Sequence, residues 1–143
     1  MLNEEVRRIM TTDPIVVHPE DSIQTLFEKM EKHRLQQMPV VDGENHFLGL
    51  VTTYDLWRTT AGPDDDKKVR EVMATKVIKI MPKDKVGTAA ELFMDKRFKT
   101  LPVVNLRNEL KGVVTAFDVI RHILKKEYPH PILYSDIING TEA

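Results

Sequence analysis

Two short stretches of the chain place a threonine three residues before an aspartate, a spacing that suits both helix formation and ligand binding. The first pair, Thr52 and Asp55, follows Gly49 and two apolar residues. The hydroxyl can cap the first turn of a helix, and the carboxylate can complete that cap. The same carboxylate could accept hydrogen bonds from two neighbouring hydroxyl groups of a bound molecule. The spacing alone therefore leaves two interpretations, a ligand contact or a helix cap.

The second pair, Thr115 and Asp118, repeats the first at a distance of 63 positions, and the copy extends well beyond the pair. Residues 6–58 align with residues 69–121 without a gap, and 19 of 53 positions are identical. Glycines and prolines recur at matching places, which composition alone would not produce. The chain is therefore a tandem duplication. We divide it into a first repeat at 1–60, a linker at 61–68, a second repeat at 69–126 and a tail at 127–143.

Other residues that could do chemistry show no useful pattern. The chain has no cysteine, its 6 glycines form no phosphate-binding loop, and no Ser-His-Asp arrangement is visible. The five histidines lack the spacing of metal ligands. The acidic run Asp64–Asp66 is typical of a solvated linker. We therefore expect neither an enzyme nor a metal site nor a required cofactor.

The composition is that of an ordinary globular protein, with 41% hydrophobic residues, 30% charged residues and a net charge of −1. This neutral balance argues against a nucleic-acid partner. No stretch approaches the roughly 18 apolar residues that suggest a membrane span. The first residues have no signal-peptide pattern. We expect a cytoplasmic protein without membrane contact.

Each repeat is predicted to run strand, helix, strand, strand, helix. The first strands are β-branched runs at Ile15–Val17 and Val77–Ile80, each ended by a proline. Asp21 and Asp84 are expected to open the first helices, which show an apolar residue every three or four positions.

The second half of each repeat begins with a buried strand, at Met38–Val41 and Leu101–Val104. A short polar turn and a return strand make each a hairpin. Closing helices follow at Thr53–Thr59 and Ala116–Lys126. In the tail, Ile132 and its apolar neighbours could dock on the body of the protein or on a second copy.

These features together resemble a tandem pair of CBS domains, also called a Bateman module. The residues that carry the resemblance are the openings at Met10 and Met73, the Pro-Val-Val strands at Pro39 and Pro102, and the two Gly-apolar-apolar-Thr-x-x-Asp motifs. The resemblance covers about residues 1–125. It implies an α/β fold of the α+β type, with the two repeats packed around a pseudo-two-fold axis.

The resemblance also implies a function. Clefts between such repeats commonly hold AMP, ADP, ATP, S-adenosylmethionine or NAD. These modules usually form homodimers and usually regulate a partner protein rather than catalyse a reaction. A ligand-free dimeric scaffold for protein interactions is the alternative.

By the same resemblance, site residues are carried over position by position. Asp55 and Asp118 would hold ribose hydroxyls, and Thr52 and Thr115 would contact phosphate or ribose. Two apolar sets would line the adenine pockets: Ile15, Leu35, Met38 and Pro39 in the first repeat, and Ile78, Phe98, Leu101 and Pro102 in the second. Because sites in the family usually straddle the repeats, Asp118 is expected beside the first set and Asp55 beside the second.

Cations before the apolar-Pro pair mark nucleotide binders in the family, and here the repeats differ. The second repeat has Lys99, whereas the first has Gln36 and Gln37. Arg34, Arg97, Arg58, Arg121 and His122 are further candidates for phosphate contacts. We therefore expect the two clefts to differ in affinity.

Overall fold

Each repeat is built on a β-hairpin that runs directly into a helix. The computed structural model describes residues 1–95 and 97–127, so the predicted tail lies outside the described residues from residue 128 onward. The first repeat contains α1 (Ile23–His33), β1 (Gln37–Val41), β2 (Phe47–Thr52) and α2 (Thr53–Thr59). The second contains α3 (Val69–Val72), α4 (Val86–Phe93), β3 (Thr100–Val104), β4 (Leu110–Thr115) and α5 (Ala116–Glu127). A short 3-10 helix precedes them at Val6–Arg8.

The predicted first strand at Ile15–Val17 is wrong as a full strand, because only Val17 pairs with β1. The Val17 N–H donates to the Pro39 carbonyl at 3.1 Å, and Val41 donates back to the Val17 carbonyl at 3.0 Å. A parallel ladder would continue with the N–H of residue 39 donating to the Ile15 carbonyl. Proline has no N–H, so the ladder stops after one bridge.

The second repeat behaves in the same way, so the strand predicted at Val77–Ile80 also reduces to one bridge. Ile80 donates to the Pro102 carbonyl at 2.9 Å and accepts from Val104 at 2.8 Å. The missing N–H of Pro102 again removes the next bond.

The predicted helix openings are also wrong by one or two residues. The N-cap of α1 is Ser22, whose hydroxyl accepts from the Thr25 N–H at 3.1 Å. The Asp21 carboxylate instead accepts from the His18 N–H, three residues earlier. Asp84 likewise accepts from Met81 rather than capping α4, which begins at Val86. Both aspartates close the turn before the helix.

The predicted hairpins are confirmed, with antiparallel pairing in both. Asp42 accepts hydrogen bonds from the backbone of Glu44 and His46, which closes the first turn. Asn45 and Asn108 have φ values of 68° and 62°, a left-handed conformation that asparagine tolerates. The mixed helices and small sheets give the α+β class that was expected.

The two hydrophobic cores do not follow chain order. Val6 is fully buried in the core beneath α4 and α5 of the second repeat. In return, Val69 and Val72 of α3 are buried in the core of the first repeat. Each repeat is therefore completed by a segment that precedes the other, which ties the repeats together.

The hairpins of the two repeats meet at the centre of the molecule. Five buried residues form a small central core there: Val41, Phe47, Leu50, Val104 and Leu110. The amide of Asn45 donates to the Leu110 carbonyl at 2.8 Å, and that of Asn108 donates to the Phe47 carbonyl at 2.7 Å. These reciprocal contacts define the pseudo-two-fold relation between the repeats.

Within residues 1–95 and 97–127, the longest helices are too short or too polar to span a bilayer.

Candidate ligand-binding cavities

Thr52 and Asp55 form a complete capping box at the start of α2. The Asp55 N–H donates to the Thr52 hydroxyl at 3.0 Å. The same hydroxyl donates to Asp55 Oδ2 at 2.9 Å, and the Thr52 N–H approaches that oxygen at 3.3 Å. The helix cap, one of the two interpretations of this pair, is therefore present in the first repeat.

Thr115 and Asp118 make the same contacts at the start of α5. The Thr115 N–H donates to Asp118 Oδ2 at 2.8 Å, and the Asp118 N–H donates to the Thr115 hydroxyl at 3.2 Å. The two carboxylates differ in access, because the Asp55 side chain is 15% exposed and that of Asp118 only 6%.

The cap uses one oxygen of each carboxylate and leaves the other available. Asp55 Oδ1 lies 3.7 Å from a guanidinium nitrogen of Arg58, and Asp118 Oδ1 lies 3.5 Å from Arg121. Both distances are longer than a charge-assisted hydrogen bond, so neither Oδ1 atom is held tightly by its arginine. Because Asp55 also borders a cavity, a cap and a ligand contact are compatible on that side chain.

One cavity of about 480 Å³ lies between the repeats and is named the Asp55 cavity. Thr52 and Asp55 border it from the first repeat, and Ile78, Phe98 and Lys99 border it from the second. The fold therefore brings Asp55 beside the apolar set of the other repeat.

A second cavity of about 450 Å³, the Thr115 cavity, has the reciprocal arrangement. Thr115 borders it from the second repeat, and Ile15, Leu35 and Pro39 border it from the first. Asp118 is buried and does not border this cavity, although the resemblance places it beside the first apolar set.

Three further residues carried over as pocket residues lie elsewhere. Met38 and Leu101 are fully buried in the two hydrophobic cores, because they point toward the helices. Pro102 is buried in β3 outside both linings. The alternation of strand faces explains the first two: Met38 and Val40 point to the core, so Gln37 and Pro39 point away from it.

The sequence did not indicate that the two cavities share a wall. Four residues border both of them: Gln36, Gln37, Lys99 and Thr100. The Gln37 Oε1 atom is buried and has no hydrogen-bond partner within residues 1–95 and 97–127. The alignment pairs Gln36 with Lys99 and Gln37 with Thr100, and this correspondence could have suggested that the four lie together.

Charged residues also border each cavity. Lys76 and Arg97 line the Asp55 cavity, and Asp13 and Arg34 line the Thr115 cavity. Arg97 is paired with Asp95 at 2.7 Å, and this guanidinium lowers the pKa of the Asp95 carboxyl to about 2. Lys76 and Asp13 occupy equivalent positions in the two repeats, so the duplication carries a charge reversal there.

Two duplicated units with a cavity on each side of a shared wall identify this chain as a two-repeat protein. The chain belongs to the CBS domain family, since the family model matches residues 6–56 and 69–125. Both repeats are thus CBS domains.

Solved structures with this fold include adenosine-compound complexes. CBSX2 from Arabidopsis thaliana, crystallised with AMP, is 25% identical, has a TM-score of 0.78, and aligns over 87% of this chain and 98% of its own. The CBS domain pair of protein MJ0100, in complex with 5-methylthioadenosine and S-adenosyl-L-methionine, is also 25% identical, with a TM-score of 0.74 and coverage of 85% and 97%.

Larger proteins also contain a segment that is similar to this chain. The inosine-5'-monophosphate dehydrogenase of Methanocaldococcus jannaschii is 31% identical over 121 residues, which are 85% of this chain but 23% of the enzyme. The chain therefore spans about a quarter of that curated relative.

Proposed function

We propose that this chain is a regulatory sensing module that binds an adenosine-containing ligand between its repeats. The ligand would be AMP, ADP, ATP, S-adenosylmethionine or NAD, and its binding would change how the module acts on a partner protein. The module would itself catalyse no reaction and would act in the cytoplasm.

The observation that carries this proposal is the reciprocal construction of the two cavities. Each combines a motif threonine of one repeat with an apolar set of the other, and each falls within the size range of small-molecule sites. A flat adenine ring suits the apolar set, here Ile78 with Phe98, and a ribose suits the free oxygen of Asp55. The AMP and S-adenosyl-L-methionine complexes of two similar proteins support the same ligand class.

A thermal unfolding scan with the five ligands tests the proposal. A ligand that binds only the native state stabilises it by about 2.7 kcal/mol at a hundredfold excess over Kd. For a chain of this size, we expect the melting temperature to rise by roughly 5–15 °C. If millimolar concentrations of all five ligands leave the melting temperature unchanged, the adenosine proposal is wrong.

Two aspartate variants separate binding from helix capping in the same assay. Asp55→Asn and Asp118→Asn each weaken one capping box, so each should lower the melting temperature without ligand. If Asp55 holds the ribose, Asp55→Asn also loses most of the ligand-induced shift at its own cavity. A full ligand-induced shift in Asp55→Asn would restrict this residue to the cap.

The alternative, a ligand-free dimeric scaffold, draws support from a different feature. Three large aromatic residues are exposed on two of the helices. On α2, Trp57 is 80% exposed and Tyr54 is 61% exposed, and on α5, Phe117 is 65% exposed. Large exposed aromatic side chains are typical of interaction surfaces. These exposed side chains would equally suit a homodimer of the sensing module, so dimerisation without any ligand response is the result that would favour the scaffold.

A further inference from the structure

Lys99 lies on the wall shared by the two cavities. Its single positive charge could contact a ligand in either cavity. It borders both the Asp55 cavity and the Thr115 cavity. Its side chain is exposed and makes no hydrogen bond or ion pair in the part of the chain that the structure describes. The equivalent residue of the first repeat is Gln36, which is neutral. An anionic ligand that uses Lys99 from one side therefore leaves the other side without it.

The remaining charges favour an anion in only one of the cavities. Apart from Lys99, the Asp55 cavity is bordered by Lys76, by Arg97, whose charge is already offset by its pairing with Asp95, and by the carboxylate of Asp55. The Thr115 cavity is bordered by one cation, Arg34, and one carboxylate, Asp13. The charge reversal between Lys76 and Asp13 thus makes the Thr115 cavity the poorer site for phosphate.

The shared wall adds a second obstacle to two anions. Gln37 borders both cavities, and its buried Oε1 has no partner within the described ranges 1–95 and 97–127. The partial negative charge on this unpaired acceptor disfavours a second negative charge close to the wall.

We propose that the two cavities take ligands of different charge. The Asp55 cavity binds a phosphate-bearing adenosine nucleotide, and the Thr115 cavity then binds an uncharged adenosine compound in preference to a second nucleotide. This inference rests on the proposed function, because it presumes that both cavities accept adenosine.

Isothermal titration calorimetry with AMP and with adenosine tests the proposal. The full chain should bind one AMP tightly and a second at least tenfold more weakly, beyond the statistical factor of four. AMP-loaded protein should still bind one adenosine in the Thr115 cavity. Its affinity there should be close to the affinity of the same cavity for adenosine in AMP-free protein. Raising the salt concentration should narrow the gap between the two AMP affinities.

Two matched substitutions assign the cavities. Ile78 and Ile15 are equivalent, half-exposed residues, and each borders only one of the two cavities. Ile78→Trp should fill the Asp55 cavity and remove the tight AMP. Ile15→Trp should leave the tight AMP intact and remove adenosine binding to AMP-loaded protein. The proposal is wrong if Ile15→Trp removes the tight AMP and Ile78→Trp leaves it intact.

Neutralising Asp13 tests the electrostatic cause. Asparagine tolerates the left-handed backbone of residue 13, where φ is 51°. Asp13→Asn should strengthen the second AMP by about fivefold. Asp64→Asn, the same change at an exposed linker position outside both cavities, should have no effect. Two AMP molecules of equal, independent affinity would refute this inference while leaving the proposed function standing. An absence of binding by both AMP and adenosine would also refute this inference, whereas the proposed function is refuted only if all five ligands fail in the thermal unfolding scan.

Discussion

At the scale of single residues, the two oxygens of each motif aspartate have different surroundings. Asp55 Oδ2 completes the helix cap, while Oδ1 faces the loosely placed Arg58. A carboxylate whose orientation is already fixed loses little entropy when it accepts hydrogen bonds from a ligand. The cap would therefore hold Asp55 ready for the proposed ligand, so the two interpretations of the sequence motif are compatible.

The ion pair between Asp95 and Arg97 gives a prediction about pH. The pKa of Asp95 falls from 3.8 to about 2, because Arg97 hydrogen-bonds to the ionised carboxylate. A carboxyl group whose pKa is lower in the folded state stabilises that state above the unfolded pKa. Its contribution should be complete above about pH 4 and should be lost as the pH falls from 4 to 2.

The carboxyl chemical shift of Asp95, followed by NMR, measures this pKa directly. Arg97→Gln should return the midpoint toward 3.8, whereas Arg107→Gln, at an exposed hairpin position, should leave it low. A wild-type midpoint near 3.8 would show that the pair does not persist in solution.

The residue motifs could be predicted from sequence because their spacing is local, but the rest of the cavity lining could not. Thr52 and Asp55 are separated by one helical turn, and their contact follows from that distance. Lys76 and Asp13 reach different cavities only because the backbone brings distant segments together. Gln37 and Met38 are neighbours in sequence, yet one borders the cavities and the other is in the core.

At the scale of elements, proline decides where the sheets end. The runs at Ile15–Val17 and Val77–Ile80 have the composition of strands, and composition predicts them as strands. Their failure to pair beyond one bridge comes from Pro39 and Pro102 on the partner strands. Strand propensity describes a segment by itself, whereas pairing depends on the donors of its neighbour.

Glycine at position 49 permits a close contact between the repeats. Leu50 and Ala74 exchange two backbone hydrogen bonds at 2.9 Å, and a Cβ atom on Gly49 would lie 2.6 Å from the Ala74 carbonyl oxygen. A Cβ atom on Gly112 would lie at the same distance from the Thr11 carbonyl oxygen. Backbone atoms cannot move aside as a flexible side chain can, so an alanine would push the segments apart.

We therefore expect Gly49→Ala and Gly112→Ala each to lower the free energy of unfolding by about 1–3 kcal/mol. The melting temperature should fall by several degrees in each case. Gly43→Ala is the control, because a Cβ atom there would have no neighbour within 4 Å. Chemical denaturation of the three variants gives the comparison. Equal stability of Gly49→Ala and Gly43→Ala would contradict the close-contact explanation.

At the scale of the whole molecule, the exchange of core segments could not be read from the repeat. Val6 and Val69 are equivalent in the alignment, and each could have packed in the core of its own repeat. Instead, Val6 packs in the core of the second repeat and Val69 packs in the core of the first. Local sequence is the same for both arrangements, so the choice depends on long-range packing.

The exposed aromatic residues on α2 and α5 give the last prediction, which concerns self-association. Trp57 is 80% exposed and lies 6.1 Å from the ring of Tyr54, measured between ring centroids. Because its side chain contributes little to the core of one copy, Trp57→Ala should leave the stability of the monomer almost unchanged. If this surface forms the dimer, the same substitution should weaken dimerisation by about 2 kcal/mol or more, roughly thirtyfold.

Sedimentation equilibrium across a range of concentrations measures that change, and Leu106→Ala is the matched control. Leu106 is 92% exposed but lies in the hairpin turn between β3 and β4, outside both helices. Its truncation should not alter the dimer. A wild-type chain that stays monomeric would rule out this dimer surface, and so would a Trp57→Ala variant that dimerises as tightly as Leu106→Ala. Either result would leave the cavities as the remaining basis for function, since they lie between the repeats of a single copy.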